Sequence, residues 1–204
     1  MSPGQSEKSA AGRKRDADAH DRLLSAAFDL TSARSSTNVS VNEIAREARV
    51  GKQTIYRWWP SKSELILDAL LQRTLEQTPF PHTSDARSDF AKHLAEIIDM
   101  FNSPAGAVIK ELVAGAQNEP GLTEQFVRRF WTPRRSLSRE RLEQAIADRQ
   151  VRSDLDPETV LDAMYGVLWT RLVLGHLPLR REDVDDLVTV VWKGIGGPEP
   201  DPVG

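Results

Sequence analysis

The densest set of side chains able to do chemistry lies in VNEIAREARVGKQTIYRWW, Val41–Trp59. A short helix with Ile44, Ala45 and Ala48 inside is expected first, then a turn through Arg49-Val50-Gly51, then a second helix with Ile55 inside, ending before Pro60. Two short helices locked across a tight turn describe a helix-turn-helix. What remains outward on the second is Lys52, Gln53, Thr54, Tyr56, Arg57 and Trp58: a cation, an amide, a hydroxyl, a phenol, a guanidinium and an indole. Such a face suits phosphate oxygens and base edges. A merely solvated helix would show Glu/Lys pairs and would not present aromatics.

Other chemistry finds little support. The chain has no cysteine, which removes disulfides, thiolate zinc sites and a Cys nucleophile together. His20, His82, His93 and His176 lack metal-ligand spacing, and no glycine-rich phosphate loop is present. Asp183, Asp185 and Asp186 resemble an acidic cluster, but acids in the first turn of a helix are what the macrodipole favours. Neither a metal, nor a cofactor, nor catalysis is expected.

The net charge of −3 over 204 residues is unevenly spread: residues 1–60 carry +3 and the rest −6. A local basic segment matters more for phosphate contact than the total. No run approaches the roughly 18 apolar residues of a membrane span. The first fifteen residues carry Lys and Arg with no apolar stretch behind them, which predicts no signal peptide and a cytoplasmic location.

Helical periodicity runs through nearly the whole chain, so the expected fold is all-α. An unstructured arm is expected over 1–15, a three-helix N-terminal domain over 16–78, a larger helical domain over 79–195, and a Pro/Gly-rich tail over 196–204. The first helix is predicted over Ala17–Ala33. Ser40-Val41-Asn42-Glu43 and Ser61-Lys62-Ser63-Glu64 read as capping boxes. Pro79 and Pro81 mark the boundary. Beyond it Phe90, Leu94, Ile97, Ile98 and Phe101 form one stripe, Leu122, Phe126 and Phe130 another, with a kink or break expected near Arg129 ahead of Pro133. A further helix over 136–150 has Leu137, Leu142 and Ile146 inside. The last two helices are apolar over so wide an arc that both sides must be covered, which predicts a homodimer. Its expected interface is Leu161, Tyr165, Leu168, Trp169, Leu172, Leu187, Val188, Val191 and Trp192.

The run Val50-Gly51-Lys52-Gln53-Thr54-Ile55-Tyr56-Arg57-Trp58-Trp59-Pro60-Ser61-Lys62-Ser63-Glu64-Leu65 resembles the recognition-helix signature of the tetracycline-repressor (TetR) family of bacterial transcription regulators. The match runs through Thr54, Tyr56, Trp59, Ser61, Lys62 and Leu65, and the preceding Ser40–Ala48 fits the helix before it. Met164–Leu179 is similar to the dimer helix of one subgroup. Two positions depart: Arg49 where the family usually has Gly, and Gly51 where it has Ser or Thr. The resemblance implies phosphate contacts from Tyr56, Lys62, Thr54 and the helix N-termini at Ser40-Val41 and Ser61, with Gln53, Arg57 and Lys52 on base edges. Arg13, Lys14 and Arg15 could enter a minor groove, against a solvated tail as the alternative.

It further implies an operator of double-stranded DNA read as a palindrome, and a small apolar effector that releases the repressor. The expected lining is Phe90, His93, Leu94, Ile97, Met100, Phe101, Leu112, Phe126, Phe130 and Trp131, with Asn102 as a second polar group beside His93. Each also has a plain reading as core. The alternatives are a constitutive DNA-binding protein without effector and a helical protein–protein module.

Overall fold

The computed structural model describes the backbone of residues 3–34, 38–74 and 80–196, and the side chains from residue 16 onward within those ranges, Pro120 excepted. Among these residues the chain is helical, as expected, with one isolated antiparallel bridge between Val151 and Gly196. It forms two compact units, Met1–Thr74 with Ala107–Thr123, and Leu75–Gly106 with Glu124–Gly204. The second departs from the expected division, because Ala107–Thr123 belongs with the first unit. An apolar stripe such as Val108, Ile109 and Leu112 shows that a helix is buried, not which core it serves.

In the first unit α1 (Pro3–Arg34) packs on α2 (Val41–Ala48) and α4 (Lys62–Thr74), and α2 on α3 (Lys52–Trp58). Leu23, Ala27, Ile44, Ile55, Leu65 and Leu70 are buried at the helical spacing that makes each element amphipathic. The Arg22 Nε–H donates to the Ala48 carbonyl at 3.0 Å, tying α1 to the last turn of α2. The helix begins at Pro3 rather than near Ala17, so the stretch expected as an arm continues α1. Its Ala, Glu, Lys and Arg content lets a helix nucleated downstream propagate without an apolar face. The side chains of Arg13, Lys14 and Arg15 lie outside the described ones, as does the tail beyond Gly196.

In the second unit α5 (Ala86–Asn102) packs against α8 (Thr132–Ala147), α9 (Pro157–Leu174) and α10 (Val184–Ile195). Asp85 caps α5 by accepting from the Ser88 N–H, and Asp156 with first-turn Pro157 caps α9 in the same way. α6 (Pro104–Ala116) follows α5 through a corner in which a Cβ on Gly106 would stand 1.9 Å from the Phe101 carbonyl oxygen, so only glycine fits.

Between α7 (Pro120–Phe126) and α8 the irregularity expected near Arg129 takes the form of a widened turn, not a chain break. A π-helical turn, Val127–Trp131, carries the chain straight into α8, with the Thr132 N–H donating to the Val127 carbonyl. A proline that cannot donate is accommodated by widening one turn instead of ending the helix. On α8 the buried positions are Ser138, Arg141, Leu142 and Ala145, while Leu137, expected inside, is 42% exposed.

Within that core Arg141 and Asp89 form an ion pair at 2.8 Å, each almost completely buried. Thr83 adds its N–H and hydroxyl to the carboxylate, and its carbonyl accepts from Arg141 Nη2. Burial pushes the Asp89 carboxyl up, but the Thr83 donors and the Arg141 guanidinium together outweigh it and leave it below the usual range.

Candidate functional site

Local chemistry builds the reading unit. Ser40 accepts from the Glu43 N–H through its side chain, while its own N–H and hydroxyl both donate to Glu43 Oε2, at 2.8 and 2.9 Å. These bonds hold the Glu43 carboxyl below its ordinary value. The hydroxyl of Ser40 is therefore engaged in the cap, and a carboxylate stands beside the α2 N-terminus. The capping box is the one the sequence predicts, and the donors expected at this N-terminus are its backbone N–H groups. Val41 is half-buried.

At the other end of α2 the Arg49 N–H donates to Arg46 O and the Val50 N–H to Ala45 O, at 3.1 and 2.9 Å. These are the paired bonds of a Schellman motif, and the residue in its left-handed position is Arg49, φ 55°, ψ 44°. Gly51, extended at φ −68°, then starts α3 without a side-chain cap.

On α3 Ile55 points inward, 1% exposed, and Lys52, Gln53, Tyr56 and Arg57 lie on the solvent side, with Thr54 half-buried. Tyr56 is 50% exposed, with Lys52 Nζ 5.7 Å from its ring centroid. The expected donor face is thus assembled on one side of a single helix. Trp59 closes it from below: it is buried, and its indole N–H donates to Asp68 Oδ2 at 2.8 Å. Trp58, expected on the outward face, is half-buried between His20 and the Arg57 guanidinium, with its ring centroid 5.6 Å from that of His20 and the Arg57 Cζ 5.3 Å from its ring. Lys62 does not simply extend to solvent. Its ammonium donates to the Val39 carbonyl at 2.9 Å, pinning the start of α4 to the residue before the α2 cap.

The second unit holds a half-open cavity between α5, the π-helical turn, α8 and α9. About 60 Å³ is open in it to the centres of water-sized molecules, several times what one water needs. Six of the residues expected at such a site line it: His93, Ile97, Met100, Phe101, Phe130 and Trp131. The others do not. Phe90 and Leu94 are fully buried core, Phe126 stacks behind Phe130 with centroids 4.9 Å apart, and Leu112 belongs to the first unit. Asn102 is turned to the Leu179 carbonyl.

Sequence reasoning missed Arg134, Arg135, Leu137 and Ser138 from α8, and Tyr165 and Trp169 from α9, all of which line the cavity. The spacing of Arg134, Ser138 and Arg141 at i, i+4 and i+7 was the available signal for an inward polar stripe. Ser138 Oγ and Tyr165 Oη lie 3.0 Å apart. Burial, with no compensating partner, lowers the His93 pKa to about 4, so the ring is neutral near pH 7. Burial pushes the Tyr165 hydroxyl up, so it stays protonated.

The residues expected at a dimer interface divide differently. Leu161, Tyr165, Leu168, Leu172 and Val188 are buried inside their own protomer, because α9 turns that stripe toward α5, α8 and α10. Trp169, Leu187, Val191 and Trp192 are half-buried. The apolar side chains left uncovered are Val167, Val173 and Leu174 on α9 and Val190, 72% exposed, on α10.

A capped helix, a left-handed turn and a second helix presenting donors to solvent define a helix-turn-helix DNA-binding protein. Residues 23–69 match the bacterial regulatory proteins of the tetR family, and residues 80–191 match the tetracyclin repressor-like C-terminal domain. The chain is 35% identical to the uncharacterized HTH-type transcriptional regulator YdeS of Bacillus subtilis (strain 168), over 90% of this chain and 93% of that one. Among solved structures it resembles the TetR family transcription regulator SCO0332, with a TM-score of 0.72 at 29% identity, covering 87% of this chain and 98% of that one. FadR of Bacillus subtilis, solved in complex with stearoyl-CoA, shares the fold at 15% identity, with a TM-score of 0.68 over 85% of this chain and 98% of its own. The chain belongs to the TetR family of bacterial transcription regulators, and it is a DNA-binding regulator. Among the described residues no helix is long and apolar enough to cross a membrane.

Proposed function

We propose that the protein is a homodimeric repressor whose α3 reads a palindromic operator and whose second unit takes a small effector that releases it. The observation that carries this is the pairing, in one chain, of a donor-rich solvent face on α3 with a cavity rich in aromatic side chains. Gln53, Arg57 and Lys52 supply base-edge contacts, and Tyr56 and Thr54 supply phosphate contacts. Lys62 acts by fixing the α2–α4 geometry through Val39 as much as by charge.

Two reading helices must sit about 34–36 Å apart to enter successive major grooves. The exposed Val167, Val173, Leu174 and Val190 supply the surface on which a second copy would dock. An effector weakens binding only through its differential affinity for the reading and non-reading states. FadR of Bacillus subtilis, solved with stearoyl-CoA bound, supports ligand control in this fold. Localisation in the cytoplasm, where the DNA is, follows from the same reading.

Selection of bound fragments from random duplex, followed by anisotropy titration at several salt concentrations, tests it. A two-fold symmetric site is expected, with affinity falling steeply as salt rises. Arg57→Ala should relax base preference at one position, and Tyr56→Phe should weaken all sequences alike. Asymmetric sites or salt-independent binding would refute the reading. An operator complex that no cavity ligand releases would favour the constitutive alternative.

A further inference from the structure

The polar groups of the cavity share one property: none is a carboxylate or an amide, and each can donate. Arg135 is the most specific. Its Nε and Nη2 face Glu158 and Asp162, at 2.9 and 2.6 Å, and Nη2 also reaches the Glu158 carbonyl. The side chain is 11% exposed, and Nη1, on the edge turned away from those carboxylates, is buried with no hydrogen-bond partner. A buried guanidinium N–H without an acceptor is costly, and supplying one is a source of binding energy. His93, 4% exposed, likewise has a buried Nδ1 with no hydrogen-bond partner. Ser138 Oγ and Tyr165 Oη lie 3.0 Å apart, and the Ser138 hydroxyl also reaches the Arg134 carbonyl at 3.4 Å. Arg134 adds a second cation, its Cζ 3.9 Å from the centroid of the Phe130 ring.

The remaining walls are apolar, aromatic side chains joined by Ile97, Met100 and Leu137. Trp169 meets Trp131 and Phe101 with ring centroids 5.1 Å away in each case, a framework for a flat apolar body. The anion this environment suits is singly charged. Glu158 and Asp162 already offset much of the Arg135 charge, so a dianion such as a phosphate would be buried with excess negative charge.

We propose that the cavity takes a small aromatic carboxylate, its ring among Phe101, Trp131 and Trp169 and its carboxylate at Arg135 Nη1, the buried guanidinium nitrogen left without a hydrogen-bond partner. This deepens, and rests on, the reading of the cavity as the effector site.

The test uses the full chain with 2-naphthoate and 2-naphthamide, which share shape and differ in charge. Calorimetry and quenching of the Trp131 and Trp169 fluorescence report binding. The acid should bind at least about tenfold tighter than the amide, as expected for a charge-assisted hydrogen bond over a neutral one. Arg135→Gln should erase that preference while the helical circular dichroism stays unchanged. Should Arg135→Gln not fold, Arg135→Lys keeps the charge without the planar edge and should cut the preference severalfold. Equal binding of acid and amide, or no binding of the acid, overturns the proposal. Acid binding that leaves the operator complex intact would instead overturn the effector reading and leave the ligand class standing.

Discussion

Replacing Arg49 with glycine should stabilise the protein. Arg49 sits at φ 55°, ψ 44° in the left-handed region, and its side chain is exposed. A residue with a Cβ is strained there by about 1–2 kcal/mol. Glycine removes that strain but adds about 0.4–1 kcal/mol of unfolded-state entropy. The net gain is about 0.5–1 kcal/mol, since the two Schellman hydrogen bonds use backbone atoms and survive. With a urea m-value of about 2 kcal/mol/M, the midpoint should rise by about 0.3–0.5 M. Arg49→Ala is the control, because it removes the charge and keeps the Cβ. Midpoints are compared at one protein concentration, so that any self-association contributes equally to each. A glycine midpoint at or below that of alanine would refute the argument from backbone strain. Duplex titration of both variants is a separate readout: an equal loss of affinity in the two would show that Arg49 reaches a phosphate.

Three further outcomes are expected. His93 titrates at about 4 when folded and near 6.5 when unfolded, so its neutral form is favoured by the fold and stability is lost as pH falls from 6.5 to 4. That loss is about 3 kcal/mol at 1.36 kcal/mol per unit, and His93→Gln should abolish it in denaturation curves taken across the window. Asp89, with its carboxyl below the usual range, adds stability that is present above the unfolded value near 3.8 and lost as pH falls through the folded one. Asp89→Asn should cost about 3–5 kcal/mol by leaving Arg141 buried beside a neutral partner, and a cost under 1 kcal/mol would contradict this. Val190→Glu with Leu174→Glu should give a folded monomer in sedimentation and a large loss of operator affinity, whereas Leu168→Glu, at a position 2% exposed, should fail to fold. A dimer that survives the double substitution would place the interface elsewhere.

What could be read from sequence alone divides along a physical line. The helix-turn-helix was legible because its determinants are local: the Ser40–Glu43 box, the inward Ile44 and Ile55, and a turn whose third-party preference for positive φ is met here by Arg49. The α5 wall of the cavity was legible from the stripe that includes Ile97 and Phe101. Its α8 and α9 walls were not. Arg134, Arg135 and Ser138 are residue types that usually face water, so an apolar periodicity that placed Leu142 inside, as observed, gave no sign of them. α9 failed for the opposite reason. A helix apolar on almost every side gives no phase, and Leu161, Leu168 and Leu172 could equally have faced a second chain or their own core. Only tertiary packing decides, and it sent them inward and left Val167 and Leu174 outside.

The π-helical turn at Val127–Trp131 has an evolutionary consequence. One residue more or fewer in that turn would rotate the helix beyond it by about 100° relative to what precedes it. Either change would re-aim Arg134, Arg135 and Ser138 in a single event, with every one of those side chains unaltered. On the reading of the cavity as an effector site, a single-codon insertion or deletion there would reshape the wall in one step, a shorter route than repainting it one substitution at a time.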